Sequence, residues 1–132
     1  MDGQAGDAME PSRPATAPGP AQIGDDVLRM AMDGAIIGMC VTSASGQFLR
    51  VNAAFCEFLG RTEAELLNGT WADFSFPAEI SGNQAMAQEV IDGQIPAFQA
   101  TKRYIKSDGT IVWGDLSVTA VRDVHGSFRY FF

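Results

Sequence analysis

An α+β domain is the architecture this sequence predicts: one five-stranded antiparallel sheet with short helices against one of its faces. Three observations carry the prediction. Between Ile111 and Arg122 the side chains separate by parity, with Val112, Gly114, Leu116, Val118 and Ala120 on one side and Trp113, Asp115, Ser117, Thr119 and Val121 on the other. That is the period-two pattern of a strand with one face on a core. Two strand-like segments precede a middle stretch of helical character and three follow it, so the strands make one sheet that the helices must cover. Short turns at Ser43-Ala44-Ser45-Gly46, Ser107-Asp108-Gly109-Thr110 and Asp123-Val124-His125-Gly126 join successive strands as hairpins.

The 132 residues suffice for one hydrophobic core. A net charge of −7, with nine scattered basic residues of which only Lys102, Arg103 and Lys106 lie close together, argues against nucleic acid, since phosphate binding needs clustered cations. Cys40 and Cys56 each sit in an apolar run and read as buried, reduced thiols. With a single histidine, His125, and no CxxC pair, the usual zinc ligand set is missing. The start of the chain has no basic segment followed by an apolar run, and no stretch reaches the length of a membrane span. The sequence reads as that of a cytoplasmic protein.

Taken in order, residues 1–22 hold four of the six prolines (Pro11, Pro14, Pro18 and Pro20) among Ala, Gly, Ser and Thr. They predict a disordered tail, with the domain covering 23–132. Asp25 to Met32 predicts a short helix, its acidic start favoured by the helix dipole. Val27, Met30 and Ala31 share one face of it. Ile36 to Thr42 is apolar at both parities and predicts a central strand buried on both faces. Phe48 to Val51 is its hairpin partner. Asn52 is an N-cap for a helix over Ala53–Leu59, whose buried stripe is Phe55, Phe58 and Leu59 and whose C′ residue is Gly60. Thr62 and Glu65 form a capping box that opens a short helix ending at Asn68-Gly69. Trp71, Phe74 and Phe76 crowd an irregular stretch that ends at Pro77. A further helix is expected over Asn83–Ile91, with Met86, Ala87, Val90 and Ile91 inward. Three strands follow: Phe98 to Lys106, Ile111 to Arg122, and Ser127 to Phe132.

Four stretches then carry a resemblance. They are Asp33-Gly34-Ala35-Ile36-Ile37-Gly38-Met39; Gly46-Gln47-Phe48-Leu49-Arg50-Val51-Asn52; Phe58-Leu59-Gly60 with Glu63-Ala64-Glu65-Leu66-Leu67; and Lys106-Ser107-Asp108-Gly109-Thr110-Ile111-Val112-Trp113 leading to Val121-Arg122-Asp123. In this order and at these distances they resemble the PAS superfamily of sensory-box domains, from about Asp25 to Phe132. The resemblance implies the PAS fold, with strand order 2-1-5-4-3 and the first and last strands in the middle. It implies a regulatory domain for signal transduction that binds a small molecule or a partner. The output domain it controls is then a histidine kinase, a diguanylate cyclase, a cyclic-di-GMP phosphodiesterase or a transcription factor. In many relatives the last strand leads to an Asp-x-Thr signature and a coiled-coil linker. This sequence stops before that point, which predicts an N-terminal fragment of a longer bacterial signalling protein, cut within its last strand.

Which cofactor the resemblance implies can be read residue by residue. Light-oxygen-voltage domains carry a reactive cysteine where this chain has Asn68-Gly69-Thr70-Trp71-Ala72-Asp73-Phe74, which argues against a covalent flavin adduct. The expected long helix has no histidine, which argues against His-ligated haem, and Met86 reads as core. Citrate-type sensing needs a membrane span and a cationic pocket, and neither is apparent. A non-covalent flavin, a fatty acid or another small apolar molecule stays open, and its identity is unknown. By strand alternation and family geometry, Cys40, Thr42, Tyr104, Gly114, Leu116 and Val118 face the interior, with Trp71, Phe74, Met86 and Val90 as the helical wall. These ten either line a pocket, with Thr42 and Tyr104 as polar handles, or fill the core. Gly114 marks a gap that a ligand or backbone can approach. The alternative reading is a ligand-free module that self-associates through Val27, Met30 and Ala31 or through Trp113 and Val121 on the outer sheet face. An enzyme would need a nucleophile and a base within reach. Here Cys40, Cys56 and His125 fall apart on the proposed fold, and Asp73, Asp115 and Asp123 read as structural, so the domain is read as non-catalytic.

Overall fold

The computed structural model describes residues 24–132, so the expected tail over 1–22 lies outside the described residues. The chain divides into two units, Met1–Ala31 and Met32–Phe132. Helix α1 (Asp25–Asp33) begins in the first, where Val27, Leu28 and Met30 are exposed. The sheet and the remaining helices belong to the second.

Five strands, β1 (Cys40–Thr42), β2 (Phe48–Val51), β3 (Ala97–Ile105), β4 (Ile111–Arg122) and β5 (Phe128–Phe131), form one antiparallel sheet in the order β2-β1-β5-β4-β3. This is the expected 2-1-5-4-3 order, with the first and last strands side by side. Three hairpin turns set the register. Gly46, Gly109 and Gly126 adopt φ of 91°, 86° and 83°, a region closed to most side chains. The longest ladder pairs Ala97 with Thr119 through Ile105 with Ile111.

Between β2 and β3 run α2 (Ala53–Leu59), α3 (Glu63–Leu67), a 3₁₀ turn (Trp71–Phe74) and α4 (Pro77–Ile91). The caps are those the sequence predicts. Asn52 accepts from Phe55 N, Gly60 closes α2 in the left-handed region at φ 65°, and Thr62 with Glu65 makes a reciprocal capping box.

Two expectations need correction. Strand β1 begins at Cys40, not Ile36, and Ile36 and Ile37 are 93% and 73% exposed. The carbonyl of Ile37 and the amide of Met39 bond to the Asn52 side chain rather than to a neighbouring strand. An apolar run says nothing about which partner its backbone finds. Helix α4 starts at Pro77, six residues before Asn83. Proline is favoured at the first helical position, where its missing N–H has no intrahelical partner. Glu79 then ties that first turn to β3 through Arg103.

Two apolar clusters sit beneath the sheet. Phe48, Val51, Leu59, Leu66, Phe74 and Tyr104 form one, and Val90, Phe98 and Phe131 form the other, joined by Met86, Ala87, Leu116, Val118 and Ala120. Along β4 the inward residues are only half-buried, although the alternation is strict. Its inner face is therefore incompletely covered by side chains, and that is where the cavity lies.

Candidate functional site

A cavity of about 670 Å³ opens between the sheet and the helices. Gly114, Leu116 and Val118 of β4, Lys102 and Tyr104 of β3, and Cys40 and Thr42 of β1 form its sheet side. Phe55 and Phe58 of α2, Trp71 and Phe74 of the 3₁₀ turn, and Asn83 and Ala87 of α4 form its helical side. The volume lies within the range of roughly 300–1,000 Å³ found for small-molecule sites, and the mainly apolar lining is also typical of them.

The gap at Gly114 is closed from within the chain. A Cβ there would come within 2.9 Å of Phe58 Cζ and 3.1 Å of Tyr104 Cε2. Those two rings meet edge to face, with centroids 5.4 Å apart.

Lys102 is the residue sequence reasoning missed. It is 2% exposed, and its ammonium donates to Ser75 Oγ at 2.8 Å. It sits 4.8 Å from the ring centroids of both Trp71 and Tyr104, the geometry of a cation–π contact. Among the described residues no carboxylate pairs with it. Glu79 is held by Arg103, whose bonds keep its carboxyl below the usual range. Burial lowers Lys102 to about 8. The parity of β3 carried the signal, because Phe98, Lys102 and Tyr104 share the buried face.

Asn83 is 9% exposed, and its Oδ1 has no hydrogen-bond partner among the described residues. Burial pushes the Cys40 thiol up to about 12 and also raises Cys56 and Tyr104. Cys40 is therefore a neutral thiol near pH 7 and a poor nucleophile. Asp73, Asp115 and Asp123 accept bonds from Thr70 N, Thr101 Oγ1 and the amides of His125 and Ser127. His125 is exposed in its turn.

The PAS domain family profile matches residues 36–132. The chain belongs to the PAS domain family. A protein described as the probable diguanylate cyclase DgcE of Escherichia coli (strain K12) is 34% identical over 103 residues, 78% of this chain. This chain spans about 9% of the length of that relative. A domain of a sensory box sensor histidine kinase/response regulator from Geobacter sulfurreducens superposes with a TM-score of 0.65 at 21% identity, covering 80% of this chain and 90% of that one. The PAS domain of a Colwellia psychrerythraea protein does so with a TM-score of 0.70 at 14% identity, covering 77% and 86%. At these identities the structural likeness speaks for the fold.

Within this PAS domain, eight of the ten residues expected at the pocket line the cavity: Cys40, Thr42, Trp71, Phe74, Tyr104, Gly114, Leu116 and Val118. Met86 and Val90 do not; they pack into the second cluster with Phe98 and Phe131. The period of α4 points them inward, into that cluster rather than toward the cavity. Trp113, 60% exposed, and Val121 lie on the outer sheet face, and Trp113 stacks beside the Arg103 guanidinium. Val27, Met30 and Ala31 are exposed on α1. No helix among the described residues is long and apolar enough to cross a membrane.

Proposed function

We propose that this PAS domain is a cytoplasmic sensory module in which a small molecule, held in the cavity, controls an output domain of the same protein. The cavity facing the half-covered stretch of β4 is the observation that carries this reading. A ligand that fills it contacts β4 and β1 together, so it biases the sheet toward the conformation it fits best. An apolar molecule or a non-covalent flavin suits the lining. The relatives point to the class of output: a histidine kinase, or an enzyme of cyclic-di-GMP signalling. Catalysis belongs to that output in this reading.

Native mass spectrometry of the purified chain, compared with denaturing spectra and absorbance, tests the reading. A non-covalent mass increment lost on denaturation is the expected result. A chain that carries no such increment, and whose melting temperature no compound in a metabolite panel shifts, would overturn it.

The exposed Trp113 favours a second reading, self-association through the outer sheet face with Val121, or through Val27, Met30 and Ala31 of α1. Analytical ultracentrifugation of the wild type against Trp113→Ala decides this. A concentration-dependent dimer that the substitution abolishes is expected, and a monomer at every concentration would exclude it.

A further inference from the structure

Lys102 gives the cavity a chemical preference. An ammonium has three donors. One reaches Ser75 Oγ, which itself donates a hydrogen bond to Trp71 O at 2.7 Å. Among the described residues the ammonium's other close neighbours are the aromatic faces of Trp71 and Tyr104 and the Cys40 thiol, and no carboxylate bonds to it. Glu79, whose field reaches the ammonium, is committed to Arg103 by three hydrogen bonds of 2.6–3.0 Å. Lys102 is the only cation among the described residues lining the cavity, and the lining acids Glu57 and Asp115 are exposed. A second buried polar group, Asn83 Oδ1, lines the same space unpartnered.

A buried cation without a counter-ion costs stability that an apolar side chain of the same length would not. An anion arriving in the cavity offsets that cost and gains a charge-assisted hydrogen bond in a low-dielectric setting. One ammonium, with no arginine and no second lysine among the described lining residues, matches a single negative charge and would leave a dianion under-compensated.

We infer that the ligand class of this cavity is an organic monocarboxylate with an apolar body, its carboxylate held by Lys102 Nζ and its body lying against β4 and the rings of Phe55 and Phe58. This rests on the reading that the cavity takes a small molecule. Two lines of geometry carry it: donors of a buried ammonium that no carboxylate among the described residues bonds, and walls that are mainly apolar and aromatic.

Matched probes that differ only in the head group test it: decanoate against 1-decanol, and 2-naphthoate against 2-naphthalenemethanol. Each is titrated into the full chain at pH 7 by calorimetry, with the fluorescence of a Trp113→Phe chain, whose remaining tryptophan is Trp71, as a second readout. In at least one pair the carboxylate is expected to bind about tenfold or more tightly than its alcohol, the strength of one charged hydrogen bond. In Lys102→Met that preference vanishes while the alcohol still binds. Equal binding of acid and alcohol in the wild type, a comparison that needs no variant, overturns the inference and leaves the sensory reading standing. So does a carboxylate preference that survives in a folded Lys102→Met. Failure of all four probes to bind the wild type overturns the inference and counts against the sensory reading as well.

Discussion

Asn52 Oδ1 accepts a hydrogen bond from the amide of Met39 at 2.9 Å, thirteen residues back along the chain. The same oxygen caps α2 through Phe55 N, while Nδ2 donates to Met32 O and Ile37 O at 2.7 and 2.9 Å. One buried carboxamide therefore fixes the segment that leads into β1 and starts the helix that walls the cavity. Asn52→Ala removes a cap and leaves these buried groups unpartnered, so it is expected to cost about 3 kcal/mol in urea unfolding. Asn52→Asp keeps both acceptor bonds and loses both donor bonds, so it should fall between the wild type and Ala. A loss below about 1 kcal/mol for Ala would mean that water replaces these bonds.

That carboxamide also shows which parts of the fold the sequence makes legible. Asn52 as a cap, the Thr62–Glu65 box and the parity of β4 are local signals, each complete within a few residues, and each is present in the structure. The reach of Asn52 back to Ile37 and Met39 is not local, and it is why Ile36 and Ile37 leave the sheet. Lys102 shows the opposite failure. Next to Arg103 and Lys106 it reads as one of a solvated basic group, yet strand alternation places it on the same face as Phe98 and Tyr104, under the sheet. Met86 and Val90 have the right helical face, but which half of the sheet that face meets depends on tertiary packing.

Gly46 and Gly109 separate backbone conformation from contact. Both occupy positive φ, 91° and 86°. A Cβ on Gly109 would meet nothing within 4 Å, whereas one on Gly46 would lie 2.6 Å from Trp71 Nε1. Gly109→Ala is expected to cost about 1 kcal/mol, the backbone penalty alone. Gly46→Ala should cost about 3 kcal/mol, because the Trp71 ring in the cavity wall must also move. Equal losses in urea unfolding would show that the indole yields freely.

Gly114→Ala tests the cavity with little cost to the fold. A strand residue other than glycine is favoured by roughly 0.5–1 kcal/mol. The new methyl meets the far edges of the Phe58 and Tyr104 rings at 2.9 and 3.1 Å, and Phe58 borders the cavity and can turn into it. Stability should therefore change by less than about 1 kcal/mol, while affinity for decanoate falls roughly tenfold as the ring takes up ligand space. Unchanged affinity would place the ligand away from β4.

Stability should also respond to alkali in a way that reports on Lys102. Burial lowers its folded-state pKa from 10.5 to about 8. Between those values the unfolded chain binds the extra proton, so stability rises with pH at about 1.4 kcal/mol per unit. Cys40 works in the opposite direction. Burial raises its thiol from 9.0 to about 12, so from pH 9 the unfolded thiol ionises first and stability falls at a similar rate. The raised Cys56 and Tyr104 add to that fall. The two slopes cancel or reverse above pH 9, which leaves a gain of about 1 kcal/mol confined to pH 8–9. Urea unfolding at pH 7, 8, 9 and 10 should show a maximum near 9 in the wild type. In Lys102→Met the curve should be flat up to pH 9 and then fall. A wild-type curve without the rise would mean that the ammonium is served well enough by Ser75, Trp71 and Tyr104 to keep its ordinary affinity for a proton.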